Sequence, residues 1–74
     1  MNEQLPPGWT WEKPMTMAQL AVVRWKGGGA LRLWNDGTMD VIGLALGFSI
    51  PVSVVTALLR NGGLLPNFTG GNQL

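Results

Sequence analysis

The feature that most constrains this chain is an uncharged run of nineteen residues, VIGLALGFSIPVSVVTALL, from Val41 to Leu59. As one helix it would reach the roughly 20 residues needed to cross a bilayer. The letters also divide in two. The first part continues a strand-like stretch, Thr38 to Ile42. The second carries its own helix start at Pro51, a polar side at Ser53, Thr56 and Arg60, and a stop at Asn61-Gly62-Gly63. Gly43, Gly47, Ser49 and Pro51 interrupt a continuous helix. Two short elements joined at Gly47-Phe48-Ser49 explain more residues than one long one. We therefore expect a strand end followed by a Pro-initiated helix. That helix has Pro51 at its first position and buries Val52, Val55, Leu58 and Leu59.

Upstream, AQLAVVRWK and ALRLWN are rich in strand-forming residues and are separated by Gly27-Gly28-Gly29. The step Asn35-Asp36-Gly37 then leads into TMDVI. Such a pattern predicts a three-stranded antiparallel meander. If Asn35-Asp36-Gly37 is a three-residue loop with Gly37 left-handed, Leu33 faces Met39, Arg32 faces Asp40 and Leu31 faces Val41. That register sets apolar against apolar and Arg against Asp. Similar treatment of the triple-Gly loop sets Trp25 against Leu31, Val23 against Leu33, and Arg24 against Arg32. One face then carries Val23, Trp25, Leu31, Leu33, Met39 and Val41. The other carries Arg24, Lys26, Arg32, Trp34 and Asp40. Trp9 and Trp11 alternate, as in an extended segment. Pro14 leaves open whether they form a fourth, short strand.

The expected fold class is α+β: a small antiparallel sheet with one short C-terminal α-helix. We read residues 1–8 as a flexible arm, 9–66 as the single domain, and 67–74 as a disordered tail. A chain of 74 residues without Cys or His has no disulfide, thiolate or imidazole staple. Its four tryptophans are the substitute.

The same inventory bears on function. A nucleophile would have to be Ser or Thr without His, and the four carboxylates, Glu3, Glu12, Asp36 and Asp40, are scattered. We expect no enzyme, no cofactor and no metal. The triple glycine lacks the spacing of a phosphate loop and opens no helix, so it reads as a hairpin tip. Asn67-Phe68-Thr69 matches a glycosylation sequon by chance, since the N-terminus has neither the basic nor the apolar region of a secretory signal.

The candidate binding residues are Arg24, Lys26, Arg32 and Trp34 on the polar sheet face, with Trp9 and Trp11. Trp and Arg are the residue types enriched at protein-binding hot spots. Cations beside an aromatic platform also suit single-stranded nucleic acid, but a net charge of +1 neutralises few phosphates. Trp9 and Trp11 equally suit a roof over the meander. A single-span lysis or toxin peptide through residues 41–59 is a further alternative.

The opening LPPGWTWEKP, the triple-Gly hairpin, the WNDGT turn and the closing IPVSVVTALLRNG together resemble small phage-encoded inhibitors of host bacterial RNA polymerase, of the Xanthomonas-phage type. The resemblance lies in length and layout and includes no diagnostic motif. It implies a non-catalytic protein; separately, we expect a monomer in the cytoplasm of the infected host. Such a protein binds near the N-terminal part of the polymerase β′ subunit, shuts off host promoters and extends its action to termination.

Overall fold

A computed structural model describes residues 3–66. The predicted tail and sequon lie outside the described residues. Four strands, β1 (Trp9–Glu12), β2 (Gln19–Trp25), β3 (Ala30–Trp34) and β4 (Met39–Ile42), precede one helix, α1 (Val52–Asn61). The strands form an antiparallel meander in the order β1-β2-β3-β4. The alternating tryptophans do form the fourth strand, since Pro14 falls just beyond Glu12 and costs the ladder nothing.

The β3–β4 register is as predicted: Leu33 pairs with Met39, Arg32 with Asp40, and Leu31 with Val41. Gly37 is left-handed (φ +89°), and Asp36 accepts hydrogen bonds from the Thr38 amide (2.9 Å) and hydroxyl (2.6 Å). The β2–β3 register differs from expectation by two residues. Val23 faces Leu31, Ala21 faces Leu33, and Arg24 faces Ala30. The reason is that the two hairpins share one turn. The Trp25 amide donates to the Gly29 carbonyl (2.7 Å) and the Gly28 amide to the Trp25 carbonyl (2.9 Å). In the second turn, Trp34 bonds Thr38 (2.8 Å) and Gly37 bonds Trp34 (2.9 Å) in the same way. Gly28 (φ +114°) takes the place of Gly37, so Gly29 belongs to the returning arm and Lys26 to the loop. A shift of two residues keeps each side chain on its predicted face and separates Arg24 from Arg32.

Two cross-strand rows dominate the inner face: Trp11–Val23–Leu31–Val41 and Ala21–Leu33–Met39. Over them lies α1, contributing Val54 and Leu58 to a core with Trp9, Ala21, Val23, Leu31 and Leu33. Helix and stripe differ from expectation. Pro51 is extended (φ −60°, ψ 140°) and is the N-cap, so the helix starts at Val52. The buried residues are Val54, Ala57 and Leu58, with Val55 and Leu59 at the margin. Val52 is 79% exposed. It precedes Val54 by about 200° of helical rotation and so points away from the sheet. The stop is as read: Gly62 and Gly63 follow, and the Leu64 amide bonds the Leu59 carbonyl (2.9 Å).

The residues from Glu3 to Gly8, expected to be a free arm, lie against the domain. The Glu3 carbonyl accepts from the Trp11 indole (2.6 Å), and the Glu3 carboxylate pairs with Arg60 (2.9 Å). Leu5 packs on the core, and the Lys26 amide donates to the Gly8 carbonyl (2.8 Å). Phe48 completes an aromatic cluster with Trp9 and Trp25, its centroid 6.1 Å and 5.3 Å from theirs. The uncharged run is thus the end of β4, a corner anchored by Phe48, and α1. No helix among the described residues is long and apolar enough to cross a membrane.

Candidate functional site

The outer face of the sheet is built from the alternate residues of the same strands. One row across all four strands is Glu12–Val22–Arg32–Asp40, and the next is Thr10–Arg24–Ala30–Ile42. Val22 (3% exposed) and Ala30 (0%) are buried even though α1 is on the other side. Their cross-strand neighbours on this face are Glu12 and Arg32 for Val22, and Arg24 and Ile42 for Ala30, so a buried apolar floor lies among the long charged side chains of the face.

Both arginines are held. Arg32 makes a two-point contact with Asp40, Nε to Oδ1 at 2.9 Å and Nη2 to Oδ2 at 2.7 Å. Arg24 makes the equivalent fork with Glu12, through Nε to Oε1 and through Nη2 to Oε2 at 3.1 Å. A planar guanidinium meeting a carboxylate along two parallel bonds is the geometry that fixes both partners. The Arg32 guanidinium also lies over the half-buried Trp34 indole, 5.1 Å from its ring centroid. The result is an ordered strip with two positive and two negative groups and one aromatic plate.

The hydrogen bonds from Arg24 and Arg32 hold the Glu12 and Asp40 carboxyl groups below their ordinary pKa values, and the two guanidinium groups are raised in return. Depressed acids stabilise the fold above their unfolded-state pKa, and that contribution is lost as pH falls through the folded-state values. Stability, read as the denaturant midpoint, is therefore expected to be level near neutrality and to decline on acidification through and below the carboxylate range. The combined Glu12→Gln and Asp40→Asn variant should have a flatter acid limb. An identical acid limb would show that these pairs contribute nothing.

The six residues singled out from the sequence divide into three groups. Arg24, Arg32 and Trp34 share the outer face. Lys26 leaves it: the strand ends at Trp25, and Lys26 sits exposed in the turn with its Nζ 5.6 Å from the Trp25 ring centroid. Trp9 is 5% exposed, faces Trp25 across the β1–β2 ladder with ring centroids 5.1 Å apart, and belongs to the core. Trp11 is half-buried on the same inner face. Trp9 and Trp11 thus serve the roof rather than the outer face. Reasoning from sequence missed Glu12 and the buried floor. The alternation of Trp9 and Trp11 already places Glu12 opposite to them, on the face of Arg24, once β1 is accepted as a strand.

Among the described residues, no group of three Asp or Glu side chains is placed to hold a metal ion. Comparison with family models, curated proteins and solved structures finds no match to this chain.

Proposed function

We propose that this chain is a non-catalytic phage protein that acts in the cytoplasm of the infected bacterium by binding host RNA polymerase, at the N-terminal part of the β′ subunit, and inhibiting host transcription. The partner follows from the resemblance in layout. The observation that supports a protein partner is the outer sheet face. Trp34, Arg32 and Arg24 stand on a rigid sheet, and each arginine is already oriented by a carboxylate. Ordering a long side chain on binding costs about 0.5–1.5 kcal/mol, and a side chain held in advance avoids much of it.

The same pairing argues against nucleic acid as the ligand. Phosphate binding draws on unpaired cations, and here each arginine of the face shares its charge with Glu12 or Asp40. The strip is neutral overall and presents Trp and Arg, residue types enriched at protein interfaces.

Affinity capture from a bacterial lysate, read by mass spectrometry, tests the partner. The expected result is recovery of the polymerase subunits together, with β′ crosslinking to the bait. Capture that contains no polymerase would reject the named partner.

A further inference from the structure

Both outer edges of a four-stranded sheet carry backbone groups without a ladder partner, and unguarded edges recruit other strands. In this chain the two edges are treated differently. On β1 the outward Trp9 amide donates to the Pro6 carbonyl (3.2 Å), the segment from Glu3 lies alongside, and Lys13 and Pro14 follow. On β4, among the described residues, no segment lies alongside in this way.

The directions of its backbone groups follow from the turn. Trp34 and Thr38 are a hydrogen-bonded pair. By the alternation of antiparallel ladders, Arg32 with Asp40 and Ala30 with Ile42 are bonded too. Met39 and Val41 therefore aim their amides and carbonyls outward, and among the described residues nothing bonds them. The chain beyond Ile42 does not cover them. Gly43 (φ +71°) lies beside Gly28 and Gly29, after which Leu44 packs on the core and Phe48 meets Trp9 and Trp25 on the far strands. The central inner row, Trp11–Val23–Leu31–Val41, thus ends at a valine that is 48% exposed, and Ile42 beside it on the outer face is 41% exposed.

We infer that β4 pairs antiparallel with β4 of a second copy of this chain, about a twofold axis at Val41. The occupant is a strand because the edge offers two outward donor–acceptor pairs at strand spacing, and it is a like strand because the edge is self-complementary. Three twofold registers engage the outward groups. One centred on Met39 sets Val41 against Gly37, whose amide already donates to the Trp34 carbonyl in the turn (2.9 Å). One centred on Asp40 sets that carboxylate directly opposite its own copy, which is unfavourable. One centred on Val41 sets Val41 against Val41, exchanging two hydrogen bonds, and places Asp40 opposite Ile42. The inner row then continues from one copy into the other. A small core without Cys or His has oligomerisation as a remaining means of support. The dimer replaces the monomer expected from the sequence and leaves Arg24, Arg32 and Trp34 facing outward.

Sedimentation equilibrium of the purified chain from about 10 µM to about 1 mM tests this. Association to a dimer is expected. Val41→Lys should weaken it by about tenfold or more, whereas Val52→Lys, at an exposed helix position off the edge, should leave it unchanged. In a sample mixing isotope-labelled and unlabelled wild-type chains, a contact between the Val41 methyl groups of the two copies is expected, a readout that needs no variant to fold. A monomer throughout the range, a dimer indifferent to Val41→Lys, or a dimer without the Val41 contact would overturn the inference.

Discussion

Replacing Trp9 by alanine is expected to remove most of the stability of this domain. Trp9 is 5% exposed and meets Trp25 and Phe48 at ring-centroid distances of 5.1 Å and 6.1 Å. Its removal takes away a large apolar surface and leaves a cavity beside two rigid rings. Truncating a buried Trp or Phe to Ala costs about 3–5 kcal/mol. A single core of this size supplies only about 3–5 kcal/mol in total. The variant should be largely unfolded at room temperature, as read by loss of the near-ultraviolet circular dichroism of the tryptophans and of amide dispersion. A cooperative unfolding transition within about 1 kcal/mol of the wild type would place Trp9 outside the core. The result also separates the two roles weighed for this residue, since a surface contact would spare the fold when removed.

The elements legible in the sequence are those whose signals are local. Asn35-Asp36-Gly37 specifies its own turn, and the apolar pairs and the Arg32–Asp40 pair on either side agree with only one register. The helix stop at Gly62-Gly63 is local in the same sense. The β2–β3 register is less legible, because three consecutive glycines leave open which one adopts the left-handed conformation. In the fold it is Gly28, so Gly29 joins the strand arm and Lys26 the loop. The helix stripe is less legible because apolar residues lie on more than one side of the helix, so Val52, Val55 and Leu59 or Val54, Ala57 and Leu58 can each be read as a buried stripe. In the fold the side that meets the sheet is that of Val54, Ala57 and Leu58, and Val52 lies about 200° away from Val54.

The site is legible in part for a related reason. Alternation along β3 places Arg32 and Trp34 on one face whatever the register, and Arg24 joins them in both the expected and the observed β2–β3 register because the two differ by two residues. Which carboxylate each arginine finds depends on the ladder. Asp40 follows from the strong turn, but Glu12 requires β1 to be a strand and the β2–β3 register to move Arg24 away from Arg32. The buried Val22 and Ala30 have no sequence signature, since alternation alone places them on the outer face, where residues read as exposed.

The largest effect expected on binding comes from the same strip. Trp34→Ala removes the plate under the Arg32 guanidinium, and Arg32→Glu places a carboxylate beside Asp40 where a fork-like pair stood. Truncation of a Trp or Arg at the centre of an interface costs about 2 kcal/mol or more, which is about thirtyfold in affinity. Like-charge opposition in a partner's pocket adds to the loss. Neither side chain belongs to the inner-face core of Val23, Leu31, Leu33, Val54 and Leu58, so Trp34→Ala is expected to stay folded, and Arg32→Glu, which also removes the Asp40 pair beside the buried Val22, to lose some stability yet remain folded, as followed by the tryptophan circular dichroism. The two variants therefore separate a binding role from a structural one.

The most direct measurement is a titration of purified bacterial RNA polymerase with the wild-type chain and with these two variants, read by surface-based binding kinetics. The account predicts saturable binding by the wild type, weakened by about thirtyfold or more in Trp34→Ala and in Arg32→Glu while both remain folded. Absence of binding by the wild type, or equal affinity in all three proteins, would contradict it.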